Sequence, residues 1–179
     1  MGNGVTIEKY SGVAQLLHWL ISPLIILQFI LAWTADALPR GDTQATLYLV
    51  HKSVGMTVLA LAIVRIIWRF MHKPPAFPAT MPVVEQWLAR ITHWGLYVLI
   101  FAMPLSGWLW SSAAGRGVPW FGLFTFPALM GENERLGDFF HETHELLAWV
   151  LFGFALFHIL AALWHAVVKK DGVLQRMLP

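Results

Sequence analysis

Apolar residues run along the chain in four long blocks, parted by polar stretches that carry glycine and proline. A helix crosses a hydrocarbon core of roughly 30 Å with about 20 mainly apolar residues. Four segments meet that length: Gln15 to Trp33, Thr46 to Phe70, Trp87 to Trp110, and Asp138 to Val168. Between them lie ADALPRGDTQ, HKPPAFPATMP and the longer AAGRGVPWFGLFTFPALMGENERLG. Proline lacks a backbone donor and restricts its predecessor, so these stretches end helices. Pro23 and Pro104 fall inside the blocks, where neighbouring helices can satisfy the freed carbonyls, and they read as kinks. The pattern predicts an all-α integral membrane protein: one domain over residues 1–179, a four-helix bundle running up-down-up-down.

Composition sharpens this. The chain is 58% hydrophobic and 12% charged, far from the make-up of a soluble domain. A formal charge of +2 with scattered Lys and Arg excludes a nucleic-acid footprint. Cysteine is absent, which removes disulfides, thiolate zinc sites, iron–sulfur clusters and covalently attached haem. No small-residue cleavage site follows the first apolar block, so that helix is expected to stay, and the MGNG start needs no lipid to hold four spans in a bilayer. Trp19, Trp33, Trp68, Trp87, Trp110 and Trp164 fall near the block ends, where amphipathic rings favour the headgroup level. Lys9, Arg69, Lys73, Arg90, Lys169, Lys170 and Arg176 gather on the side of the two termini, against Arg40, Lys52, Arg116 and Arg135 opposite. The positive-inside rule then predicts cytoplasmic termini in a bacterial inner membrane. Asp36, Asp42, Glu132, Glu134 and Asp138 collect on the periplasmic side.

Eight histidines are many for such a chain, because an ionisable group in lipid needs a partner. His18, His51, His144 and His158 lie inside the expected spans. His144 and His158 share the fourth helix. Fourteen residues advance it by about 21 Å and return it to within roughly 40° of the same face. His51 matches the depth of His144, and His18 that of His158. Two imidazoles bracketing one iron at each of two levels is the arrangement of a bis-histidine haem b pair, sheathed by Leu, Phe and Trp. Gly55 and Gly153 are expected to leave room for a flat ring. The plain alternative, histidines hydrogen-bonded between the helices of a transporter or scaffold, suits each alone better than four that pair by depth and face.

The remaining histidines divide. His93 and His165, with Arg90, sit at the cytoplasmic end, where they could meet a haem propionate or a quinone head group, or be simple interfacial residues. The run HETHE, with His141 and His144 three apart, departs from the zinc-protease pattern, which spaces its histidines by four. His72 lies in a polar connection and reads as solvated.

Taken together, HW at His18, LVHKSVG around His51, WRF followed by KPP, HWGLY followed by MPLSGW, HE at His144 and FH at His158 resemble the bacterial cytochrome b561 family over nearly the whole chain. The resemblance implies four transmembrane helices and two haems b, with axial ligands at His18, His51, His144 and His158. It implies an oxidoreductase of the superoxide oxidase type, a part of the respiratory chain that passes electrons from periplasmic superoxide to ubiquinone. Lys52, Arg116 and Arg135 are then the residues that would steer the anion at the outer haem. The alternative within the wider group is a membrane subunit relaying electrons from a periplasmic dehydrogenase or hydrogenase to quinone; the short termini favour the stand-alone type.

Overall fold

The computed structural model describes residues 8–179. The MGNG start, on which lipidation would depend, lies outside the described residues. Four helices run α1 (Gly12–Ala37), α2 (Asp42–Met71), α3 (Val83–Ala113) and α4 (Glu134–Trp164). Each is long and apolar enough to cross a membrane. They form the four-helix transmembrane bundle of the sequence pattern, but the helices begin and end one to four residues outside most of the expected limits. Polar ends keep intrahelical bonds beyond the hydrocarbon, where an apolar count stops. The fourth is the exception at its C-terminal end. It stops at Trp164 and passes through a π-helical turn, His165–Lys169, before Lys170 takes a left-handed conformation (φ 52°).

Local chemistry sets the ends. The Ser11 hydroxyl accepts from the Ala14 amide at the start of α1, and the Asn133 side chain accepts from the Leu136 amide at the start of α4. Within the helices, hydroxyls donate to the carbonyl four residues back: Ser22 to His18, Thr57 to Ser53 and Ser112 to Trp108. Both Pro23 and Pro104 lie within continuous helix.

The third connection contains more than the sequence pattern foretold. β1 (Val118–Trp120) and β2 (Phe124–Phe126) form an antiparallel hairpin. Phe121 and Gly122 carry positive φ at its tip (49° and 73°), and the Leu123 amide bonds the Trp120 carbonyl. It packs along α2, with Val118 buried against Met56 and Leu59. Fully buried Ser53 accepts from the Phe121 amide and donates toward the Leu49 and Pro119 carbonyls, so α2 satisfies the hairpin's free backbone groups.

The start of α1, the C-terminus, the end of α2 and the start of α3 share one end of the bundle, here the terminal end; the α1–α2 and α3–α4 connections share the far end. After α4 the chain crosses beneath the bundle. Gln15 donates to the Arg176 and Leu178 carbonyls, and the Trp19 indole to Met177, strapping the tail to α1.

Packing is uneven. α1 pairs closely with α2, and α3 with α4, whereas α4 hardly approaches α1 and α2. Of its 31 residues only Leu151 is buried, although α4 is the most apolar of the four spans. A bundle helix normally buries a full stripe. The face that α4 turns to α1 and α2 is therefore separated from them by a gap lined with apolar groups and histidine.

Candidate haem sites

That gap holds the histidines. Toward the far end, the His51 and His144 ring centroids lie 6.3 Å apart with planes at 79°. Toward the terminal end, His18 and His158 lie 6.2 Å apart, also at 79°. With a metal–imidazole bond of about 2.0 Å and a ring centroid about 1.1 Å behind its nitrogen, two imidazoles on opposite sides of one metal sit with centroids about 6.2 Å apart. Both gaps have that width. An empty apolar groove between packed helices would collapse to van der Waals contact. The spacing, the uncovered face of α4 and the open space where a Cβ on Gly153 would point all fit a flat macrocycle between α4 and the α1–α2 pair.

The far pair is oriented from behind. His144 Nδ1 lies 2.9 Å from Ser106 Oγ, and His51 Nδ1 lies 3.3 Å from the Gln28 carbonyl. With Nδ1 engaged, each ring offers Nε2 toward the gap. The Ser106 hydroxyl is shared with the Met103 carbonyl, in the turn before Pro104. Gly107 lies against the His144 ring, where an added Cβ would come within 3.0 Å of Cε1. Gly55 does not serve as the sequence suggested: the space of its missing Cβ is taken by the Gln28 amide, 2.9 Å away, rather than left to a ring. Buried Gln28 Oε1 has no partner among the described residues.

The terminal pair has no such hydrogen bond among the described residues. It has neighbours instead. The His93 ring centroid lies 5.4 Å from that of His158, too close for the two to bracket one haem iron from opposite faces. Arg65, in the apolar run LAIVRIIW, is near enough for its charge to act on His18, His93 and His158.

His93, His165 and Arg90 prove to have separate partners. His165 is buried, its Nδ1 2.6 Å from Asp171 Oδ2 and its Nε2 3.9 Å from Glu85 Oε2. Lys169 also pairs with Glu85, so this cluster ties the end of α4 to the start of α3. Arg90 is exposed, stacked over Phe77 and Trp87.

At the far end, Lys52 Nζ reaches Ser111 Oγ at 3.2 Å, and its charge lies within Coulombic range of Arg116. Arg116 and Arg135 are exposed, and the Glu132 carboxylate packs against Gly115 beside Arg116. His141 stacks on Trp110 with centroids 4.3 Å apart, and Trp110 lies 6.2 Å from His144. Sequence reading passed over Ser106, Gln28, Gly107 and Arg65. Arg65 was the one with a visible signal, an arginine inside an apolar run.

Histidine pairs facing each other across a membrane bundle define a b-type membrane cytochrome. A sequence profile of the prokaryotic cytochrome b561 family matches residues 9–179, and the chain belongs to that family. Its relatives include cytochrome b561 homolog 2 of Escherichia coli K12, 31% identical over 97% of this chain and 93% of that protein. The probable superoxide oxidase CybB of Yersinia pestis is 34% identical, over 96% and 97%. Cytochrome b561 homolog 1 of Escherichia coli K12 is 25% identical, over 96% and 98%. Membership implies haem b and electron transfer in the membrane, and with four spans it agrees with a bacterial inner membrane.

Proposed function

We propose that the chain carries two haems b, one ligated by His51 and His144 and one by His18 and His158, and moves electrons from periplasmic superoxide to ubiquinone. The observation that carries the reading is the pair of histidine gaps, 6.3 and 6.2 Å wide, on one face of α4 at two depths. Likeness to a probable superoxide oxidase over nearly the full chain supports the substrate. The excess of Lys and Arg at the terminal end supports cytoplasmic termini, which makes the far pair the periplasmic one.

Bound haem would supply a one-electron iron couple at each level. The protein's part is to hold the axial imidazoles, exclude water and bring substrates to the two ends. Each of two superoxide anions gives up one electron and leaves as dioxygen; ubiquinone takes up both electrons with two protons from the cytoplasmic side. Lys52 and Arg116 form a local positive spot beside the far pair and, with Arg135, would draw the anion in. At the other end His93, next to His158, would face the quinone head group. His165 with Asp171 is a titratable pair at the cytoplasmic end that could pass protons inward, and Arg90 a nearby fixed charge.

A pulse of superoxide should reduce the haems of the purified protein and drive quinol formation. A rate no faster than spontaneous dismutation would remove the superoxide reading. A second reading, a cytochrome subunit relaying electrons from a periplasmic dehydrogenase or hydrogenase, draws on the exposed acids Asp36, Asp42, Glu132, Glu134 and Asp138, which oppose an anion and would suit a basic partner. Co-purification with such a partner, with no response to superoxide, would favour it.

A further inference from the structure

Arg65 stands fourteen residues beyond His51 on α2, the same interval that separates His144 from His158 on α4. α2 and α4 run in the same direction, so Arg65 repeats on α2 what His158 does on α4: it faces the gap at the level of the terminal pair. An arginine in an apolar span is stable when an anion or several carbonyls meet its five donors. Here one nitrogen donates to the Ala14 carbonyl at 3.0 Å, and the guanidinium lies 5.8 Å from the Tyr97 ring centroid. Neither partner is anionic. No carboxylate pairs with Arg65 among the described residues, and MGNGVTI, the segment outside them, has no acid. The counter-anion must come from outside the polypeptide.

The surroundings say what kind. Arg65 lines a cavity of about 480 Å³ between the start of α1, the end of α2 and Tyr97. Lys9, Arg69 and Lys73 line it too, against one acid, Glu8. On α1, Ser11 and Ala14 border this cavity and His18 follows one turn after Ala14, so the cavity opens about 5.4 Å further toward the terminal end than the histidine gap. A porphyrin of the b type bears both its carboxylates on one edge. Held between His18 and His158 with that edge toward the cavity, it would bring two anions to Arg65, which has no carboxylate partner among the described residues.

We propose that Arg65 binds the carboxylate edge of the haem held by His18 and His158, with Tyr97 and Ser11 as further donors in the cavity, and so fixes which way round that ring sits. The inference rests on the ligand assignment above. By placing a positive charge beside the ring, Arg65 favours the added electron and raises the potential of the terminal haem relative to its value without that charge.

The test is a redox titration of the purified holoprotein in nanodiscs, with haem content measured in parallel. The terminal haem is identified as the one lost in His158→Ala. Arg65→Gln keeps a donor for the Ala14 carbonyl but removes the charge. It should make reduction of the terminal haem at least tenfold less favourable, 59 mV for one electron, and leave the far haem unchanged. Arg65→Lys should recover most of the loss, and discs of zwitterionic or anionic lipid should give the same result. A reduction equilibrium of the terminal haem in Arg65→Gln within threefold of wild type would overturn the assignment. So would a shift that appears only with anionic lipid, which would make a lipid phosphate the partner. Wild-type protein with fewer than two haems would instead sink the ligand assignment, and this inference with it. Should Arg65→Gln fail to accumulate, Arg65→Lys carries the comparison: losing the bidentate fork should release the terminal haem at least threefold faster to a haem scavenger, and an unchanged rate would overturn the assignment.

Discussion

The two ends of the bundle hold similar histidine pairs in dissimilar ways. At the far end each ring is fixed from behind, His144 by Ser106 and His51 by the Gln28 carbonyl, and α3 presses Gly107 against the His144 ring. At the terminal end the rings of His18 and His158 have no such bond among the described residues, and what surrounds them is a third imidazole and a cation. The far pair is set by hydrogen bonds that orient its rings, the terminal pair by charge and by the tail strapped beneath it. A reaction that begins on a small anion at one end and finishes with proton-coupled chemistry at the other would ask for such a division: rigid ligation where an electron enters, and polar, adaptable groups where protons must follow.

The sharpest break of this comparison is to remove a ligand. His144→Ala should lower haem content from two per chain to one and spare the terminal haem, and His158→Ala should do the reverse, as read by pyridine haemochrome quantification. Loss of both haems, or of neither, in either variant would refute two independent sites. Next in size is the bond behind His144. Ser106→Ala should weaken far-haem retention by about 10–100-fold, the usual cost of an outer partner of a metal ligand, while Ser22→Ala near the terminal pair leaves both haems within twofold. Equal losses would mean that the two ends are held alike.

Smaller effects test the surroundings. Lys52→Gln should slow reduction by superoxide about two- to fivefold at low salt, with the difference fading as ionic strength rises past about 0.15 M; a salt-independent loss would show that Lys52 holds the fold rather than steers. The smallest expected effect is on haem content in His93→Ala. At 5.4 Å from His158 the ring is too near to bracket one haem iron with it from opposite faces, so two haems should remain and only quinone reduction should fall. A missing terminal haem would make His93 the ligand and displace His18.

Much of this was legible before any coordinates. The apolar blocks located four spans, and the spacing of His144 and His158 with the depths of His51 and His18 already paired them. Helix ends were placed too far inside, because an apolar count stops where polar residues continue the hydrogen-bond ladder. The hairpin was missed because VPWFGLFTF, broken by a Pro and a Gly, reads as a connection; its strands exist because Ser53 on α2 satisfies their backbone. Grouping His93, His165 and Arg90 by depth also went too far. Depth along a helix does not give the angle around the bundle, and His165 turned through the π-helical turn toward Glu85 and Asp171 instead.

The residue order alone determined that the chain belongs in a bilayer, that it crosses four times, and that four imidazoles stand at two levels. Period and hydropathy are one-dimensional quantities, and a helix rising uniformly converts them directly into depth and face. The tertiary structure decided the rest: that the facing rings stand 6.2 to 6.3 Å apart with α4 held away from α1 and α2, that Ser106 and the Gln28 carbonyl lie behind the far rings, and that Arg65 meets the Ala14 carbonyl and no carboxylate among the described residues. Those are contacts between helices, set by how the bundle packs in the plane of the membrane, where sequence spacing carries no information.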